Sequence, residues 1–146
     1  MCDDEGIATE TCDIVTDGVL KKYLLSSYSA RKLGLETTGN AGGTFNLTID
    51  SGDRDFDEMV KLMNKGLLVT HTMGFGINQV TGDYSQGASG FWVENGEIQF
   101  PVEEVTIAGN LRDMFRSLVE VGNDVDYRTG VRTGSILLSN MAVAGE

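Results

Sequence analysis

A single proline, a single histidine and only two cysteines occur in the chain, and each scarcity removes a class of chemistry. With one imidazole, His71, there is no second His or Cys at ligand spacing for zinc. There is also no His-Glu-x-x-His helix and no recognisable motif placing a His beside a Ser or Cys nucleophile. His71 is therefore expected in a structural or solvent-facing role. Cys2 and Cys12 are too few and too near one end to form a disulfide framework, and with no Cys-x-x-Cys present, reduced thiols are expected. Basic residues are scarce as well: 11 Lys and Arg stand against 22 Asp and Glu, for a net charge of −11. Such a surface repels phosphate backbones, so no nucleic acid is expected as a direct partner. No apolar run approaches a membrane span, and the opening MCDDEGIATE lacks a charged n-region and an apolar h-region. No membrane partner is expected, and the expected address is cytoplasmic.

Glycine, in contrast, is abundant. Nineteen glycines against one proline point to many turns and close backbone approaches in a β-rich fold. With 146 residues and 40% hydrophobic content, residues 1–146 are expected to form a single domain with a real core. The Thr37–Gly43 segment TTGNAGG is not followed by Gly-Lys-Ser/Thr and opens no Gly-x-Gly-x-x-Gly helix, so it is expected to be a bend rather than a phosphate cradle.

Turn dipeptides organise the rest. Asp17-Gly18 predicts a hairpin between Cys12–Thr16 and Val19–Leu25, with Val15 opposite Leu20 and Asp13 opposite Lys22. Ser26 or Ser27 should cap a helix to Leu33, with Gly34 after its end. Phe45, Leu47 and Ile49 alternate with polar residues as in a half-buried strand. Asp55 and Glu58 form a capping box before the stripe Phe56, Met59, Val60, Met63, with Gly66 as the stop, and Leu67–Thr72 reverts to strand. Asn95-Gly96 predicts a second tight hairpin pairing Val93 with Ile98, Phe91 with Phe100, Trp92 with Gln99 and Glu94 with Glu97, closed by Pro101. Beyond a strand over Val102–Ala108, Asn110 should cap a helix with the stripe Leu111, Met114, Phe115, Leu118, Val119, stopped by Gly122, before a last strand near Ser135–Leu138. The expected class is α+β: mainly antiparallel β-sheet, barrel-like or sandwich, with two or three short helices.

Three stretches carry a resemblance: GVLKKYLLSSYSARKLGLETTGNAGG (Gly18 to Gly43), VTGDYSQGASGFWVENGEIQFPV (Val80 to Val102) and TIAGN (Thr106 to Asn110). Together they resemble the C-terminal region of the TldD/PmbA family, and DDEG (Asp3 to Gly6) is similar to the segment that introduces that region. SSYSARKLG and SGFWVENGEI are worded as in the PmbA (TldE) branch. The resemblance implies a role in proteolysis and peptide maturation through a TldD–TldE heterodimer; older names describe PmbA as a modulator of DNA gyrase. It also implies that zinc sits on a His-Glu-x-x-x-His helix in an upstream region of the partner subunit, plus a cysteine near its C-terminus. The corresponding late loop here, DVDYRTGVRTG, has no cysteine, so no zinc ligand and no catalytic residue carries over. The upstream domain is expected to lie outside this chain.

The implied function is a non-catalytic TldE-like subunit of a metallopeptidase, contributing to peptide binding and heterodimer assembly. Partners would be a TldD-like subunit, or self-association, and an unfolded peptide. Thr81, Gly82, Asp83, Tyr84, Gly87 and Gly90 are the candidates for peptide contact, because small residues admit another backbone. Phe91 and Trp92 are the candidates for an interface. Two alternatives remain open: a purely structural assembly domain, and a gyrase-modulator-type interaction protein without substrate contact. An independent hydrolase would need a metal.

Overall fold

The computed structural model describes residues 1–145, in two compact units, Met1–Leu47 and a second from Thr48 onward. In the first, Asp17 and Gly18 both take positive φ (51° and 72°), the pair that a type I′ turn needs, and join β1 (Val15–Thr16) to β2 (Val19–Leu20) with Val15 opposite Leu20. The expected longer hairpin does not form. The N–H groups of Lys21 and Lys22 both converge on the Ile14 carbonyl, so the ladder ends there, and Lys22 pairs with Glu10 instead of Asp13. Helix α1 (Ser27–Leu33) runs as its caps dictate, with Ser26 accepting the Ser29 N–H and Gly34 left-handed at φ 69°.

The TTGNAGG bend packs against the start of the chain. A Cβ on Gly39 would collide with the Ala8 carbonyl, so only glycine allows that approach. Asp3 is buried, and its carboxylate accepts the N–H groups of Glu5 (3.0 Å), Ile7 (2.9 Å) and Ala41 (3.0 Å), tying the Asp3–Ile7 turn to the bend.

Strand β3 (Leu47–Thr48) is followed in the second unit by α2 (Phe56–Met63), which opens on the full Asp55–Glu58 capping box. Its positive-φ terminator is Asn64 (φ 58°, ψ −56°), not Gly66: the Lys65 N–H turns back on the Met63 carbonyl (2.6 Å) in a γ-turn, and Gly66 already begins β4 (Gly66–Met73). Then come β5 (Asp83–Glu94), β6 (Glu97–Asn110), α3 (Leu111–Arg116), β7 (Leu118–Val121), β8 (Val131–Arg132), β9 (Ile136–Leu138) and β10 (Ala142–Ala144). The main sheet has the order β10-β6-β5-β4 and is antiparallel throughout, while β7 pairs with β9. Its core is Ala88, Val105 and Ile107, covered by Leu67, Tyr84, Val102 and Met141. The fold is α+β with mainly antiparallel sheet and three short helices.

Three sequence expectations shift here. Asn95-Gly96 makes the type I′ turn (φ 56° and 73°) with Val93 opposite Ile98 and Glu94 opposite Glu97. Beyond it Gln99 is an extra residue whose amide donates to the Glu94 and Glu97 carbonyls, so Trp92 faces Phe100 and Phe91 faces Pro101. Pro101 does not close the hairpin; β6 runs on through it, where β5 lies on one side and no strand on the other, and a missing N–H is tolerated. Helix α3 stops at Arg116 because the Ser117 N–H and hydroxyl turn back on Asp113 and Met114, and Leu118–Val121 after it, with its two β-branched valines, pairs as β7.

Burial alone would raise the Asp3 carboxyl pKa, but the N–H donors of Ala41, Ile7 and Glu5 outweigh it and hold it below the ordinary 3.8. The stability this contributes is present above that ordinary value and is lost as pH falls through the lower folded one. Asp3→Asn should therefore be less stable than wild type at neutral pH in urea unfolding, and the gap should close in strong acid. A gap independent of pH would show that the carboxylate charge is not what organises the turn.

Candidate functional site

The eight residues singled out by sequence fall into three places around β5. Thr81, Gly82 and Asp83 form one turn at its start. Asn78 organises that turn: its side-chain oxygen accepts the N–H groups of Val80 (3.0 Å) and Thr81 (3.2 Å), and its carbonyl accepts the Gly82 N–H (2.8 Å). Gly82 is left-handed at φ 79°. The Thr81 hydroxyl donates to one Asp83 carboxylate oxygen (2.7 Å), and the Asn110 amide donates to the other (3.3 Å) and to the Thr81 carbonyl (3.0 Å). Asn110 also caps α3 through the Arg112 N–H (3.1 Å), so one side chain couples the turn to the end of β6. The Thr81 hydroxyl first, and the Asn110 amide second, hold the Asp83 carboxyl below the usual range against the opposing effect of burial. Both oxygens are engaged, so Asp83 sets the shape of the turn and is poorly placed to take up a proton.

Asn78 and the structural use of Asn110 were missed in the sequence. Asn78 had a readable signal in the N-Q-V-T-G run, an Asn three positions ahead of Thr81. Asn110 had none for its partner 27 positions earlier.

Tyr84 points the other way, against the Ala88, Val105 and Ile107 core, its hydroxyl 3.4 Å from the Gln86 side-chain oxygen. Gly87 and Gly90 sit in mid-strand, and β5 has no free edge. Residues from Gly87 onward pair with β4, and before them Gly76 accepts the Ser85 N–H while Asp83 accepts that of Asn78. The two glycines differ sharply. A Cβ on Gly90 would strike the Leu68 carbonyl of β4, whereas one on Gly87 would meet only Met73 at 3.6 to 3.8 Å, ordinary van der Waals contact.

Phe91 and Trp92, being successive in a strand, face opposite sides. Phe91 is 37% exposed and pairs with Leu68 and Pro101. Trp92 is half-buried, with the Lys65 ammonium 5.9 Å from its ring centroid and that ammonium 3.0 Å from Glu94.

Among the described residues no three His, Cys, Asp or Glu side chains come together to hold a metal ion, and His71 is exposed on β4. The donor set does not fit a zinc site. A shallow cleft of about 290 Å³ lies against the turn, lined by Phe75, Gly76, Ile77, Asn78, Asp83 and Ser85.

The contrast between the glycines is measurable. Gly90→Ala should destabilise the chain by about 1–3 kcal/mol through forced separation of β4 and β5, while Gly87→Ala should leave it unchanged or slightly more stable. Equal losses in chemical denaturation would refute the distinction.

The chain matches the PmbA/TldA metallopeptidase C-terminal domain over residues 1–145. It is 56% identical to Metalloprotease PmbA of Escherichia coli O157:H7, over 99% of this chain and 32% of that protein. Two solved structures share the fold. A Thermotoga maritima protein described as a candidate modulator of a DNA gyrase gives a TM-score of 0.89 at 41% identity, over 98% of this chain and 35% of that one. A Bacteroides thetaiotaomicron protein similarly described gives 0.90 at 37%, over 99% and 33%. The chain spans about a third of the length of the curated relatives it matches. From the long ordered stretches at Gly18–Gly43 and Val80–Val102 to the sheet they build, the chain belongs to the PmbA/TldD metallopeptidase family as its C-terminal domain, on the PmbA side.

Proposed function

We propose that residues 1–146 act together as the C-terminal domain of a non-catalytic, TldE-like subunit in a TldD–TldE type metallopeptidase of the cytoplasm, working in proteolysis and peptide maturation. The zinc belongs to the partner subunit, and this domain forms part of the wall along which an unfolded peptide runs. The observation that carries the reading is Gly87. Glycine in a strand interior costs about 0.5–1 kcal/mol relative to Ala, and nothing among the described residues requires it at 87: its φ is not positive and space for a side chain exists. Its smallness serves a backbone from outside. Ser85, Gly87 and Ser89 share one face of β5, with the Thr81–Asp83 turn at its end, so the strand offers a low floor on which an extended segment lies. Tyr84 and Gly90 build that floor from behind, one by packing on the core and the other by letting β4 close in. The net charge of −11 favours peptide over nucleic acid.

A second reading, assembly without substrate contact, draws support from the partly exposed Phe91 beside exposed Phe100. The two readings separate when a photo-cross-linker at Ser85 is tested with a TldD-type subunit and an unfolded peptide. Cross-links to the peptide, reduced several-fold by Gly87→Val at unchanged melting temperature, are expected. Cross-links to the partner alone would favour assembly. The chain by itself should leave peptides intact, and chelator-sensitive cleavage by it would overturn both readings.

A further inference from the structure

Of the eight asparagines in the chain, only Asn95 is followed by glycine. The dipeptide that builds the tight turn is also a reactive one: a side chain on the following residue shields its peptide nitrogen from the asparagine amide, and glycine has none. The remaining asparagines differ in their surroundings as well. The side chains of Asn40, Asn78, Asn110 and Asn123 are tied into hydrogen bonds. At the hairpin tip the bonds run from Gln99 to the Glu94 and Glu97 carbonyls and from Gly96 to Asn64, which leaves the Asn95 side chain exposed and unengaged among the described residues.

The neighbouring nitrogen, by contrast, is held. The Gly96 N–H donates to the Asn64 carbonyl at 2.8 Å, and the tip lies so close to α2 that a Cβ on Gly96 would come within 3.1 Å of the Lys61 Cα. A peptide nitrogen attacks a carbonyl carbon only after giving up its proton, and one that is donating a hydrogen bond keeps it. Asn64, whose carbonyl does the holding, is itself strained. It is the central residue of the γ-turn after α2, at φ 58° and ψ −56°, the rare form of that turn. Such a conformation persists only where its surroundings over-determine it, and the bond from Gly96 is one of the contacts that do so here.

We propose that Asn95 is a modification site, its side-chain amide lost through a succinimide ring formed with the Gly96 nitrogen, and that the Asn64 carbonyl gates the reaction by holding that nitrogen. The Gly96 nitrogen gives its proton to hydroxide and bonds to Asn95 Cγ, and the bond from Cγ to the amide nitrogen breaks, releasing ammonia. Water then opens the ring at one of its two carbonyls. Opening at the side-chain carbonyl gives Asp, and opening at the main-chain carbonyl gives isoaspartate, in which the chain runs through Cβ. In sum water enters and ammonia leaves, with no oxidant, reductant or cofactor. Either product changes the hairpin. Both add a carboxylate between Glu94 and Glu97, which already face each other across the ladder. Isoaspartate also lengthens a two-residue turn by one backbone atom, and the pairing of fully buried Val93 with Ile98 depends on that turn length. The site thus converts any loosening of the hairpin from α2 into an irreversible opening of the tip. Both reacting groups belong to this chain, so the reaction stands apart from the peptide reading.

The test incubates the 146-residue chain at mildly alkaline pH in water enriched in heavy oxygen and follows each asparagine by peptide mapping and mass spectrometry. In the folded chain Asn95 should convert before the other asparagines, taking up heavy oxygen, yet several-fold more slowly than in the same chain held unfolded in urea. Asn64→Val places a β-branched residue at positive φ and should speed both Gly96 amide exchange and Asn95 conversion several-fold. Asn64→Gly, which accepts that φ without strain, should keep the slow rate. Gly39→Ala, destabilising in the other unit through the Ala8 carbonyl, should leave the rate at Asn95 unchanged and so separates local from global opening. The converted fraction, separated by charge, should melt several degrees below the unconverted chain. Another asparagine converting first in the folded chain, equal rates folded and unfolded, a rate that does not follow Gly96 amide exchange across the Asn64 variants, or an equal acceleration by Gly39→Ala would each overturn the proposal.

Discussion

The sheet is built around how closely β4 can approach β5, and Gly90 decides that distance. Any side chain there would occupy the place of the Leu68 carbonyl, so the ladder from Gly66 to Met73 exists only because position 90 has none. The neighbouring Ser89 lies between two irregularities, the extra Thr70 on β4 and the extra residue at Glu103–Glu104 on β6, where Glu104 takes φ 56°. Bulges raise local twist and re-aim side chains. With both placed at one level, Ser89 marks the boundary between the half of the sheet carrying the Tyr84, Ala88, Val105 and Ile107 core and the hairpin half carrying Trp92 and Phe100.

What local chemistry specifies was legible in the sequence. Asp17-Gly18 and Asn95-Gly96 form the turns their dipeptides demand, and Ser26, Asp55 and Asn110 cap the helices they precede. These devices are completed within four residues and need no knowledge of the rest of the chain. The bulge at Gln99 was not legible, because Ile98, Phe100 and Val102 alternate straight through it and Gln99 is identified only by the carbonyls its amide finds, whereas the one at Glu103–Glu104 leaves a mark, the apolar phase shifting there to Val105 and Ile107. Leu118–Val121 fitted a helical stripe equally well, and its pairing with Ile136–Leu138 decided the matter.

The site was legible as a neighbourhood and not as a mechanism. Thr81, Gly82 and Asp83 do converge, but through Asn78 and Asn110, whose roles rest on contacts across the fold. Two glycines that look alike in the sequence sit in different surroundings, one pressed against the Leu68 carbonyl and the other with room for a side chain among the described residues. Absence of an internal explanation is itself informative when the residue is an expensive one for a strand.

Pro101 has a consequence for what the outer side of β6 can pair with. It sits with Glu97, Glu103 and Glu104 in the part of β6 that, among the described residues, no third strand covers, and the strand beyond β6 is the three-residue β10. This flank is acidic and interrupted, whereas β4 on the opposite one carries no Lys, Arg, Asp or Glu. An edge of that kind offers no unbroken row of backbone N–H groups to an incoming strand, so it is blunted against pairing with other chains.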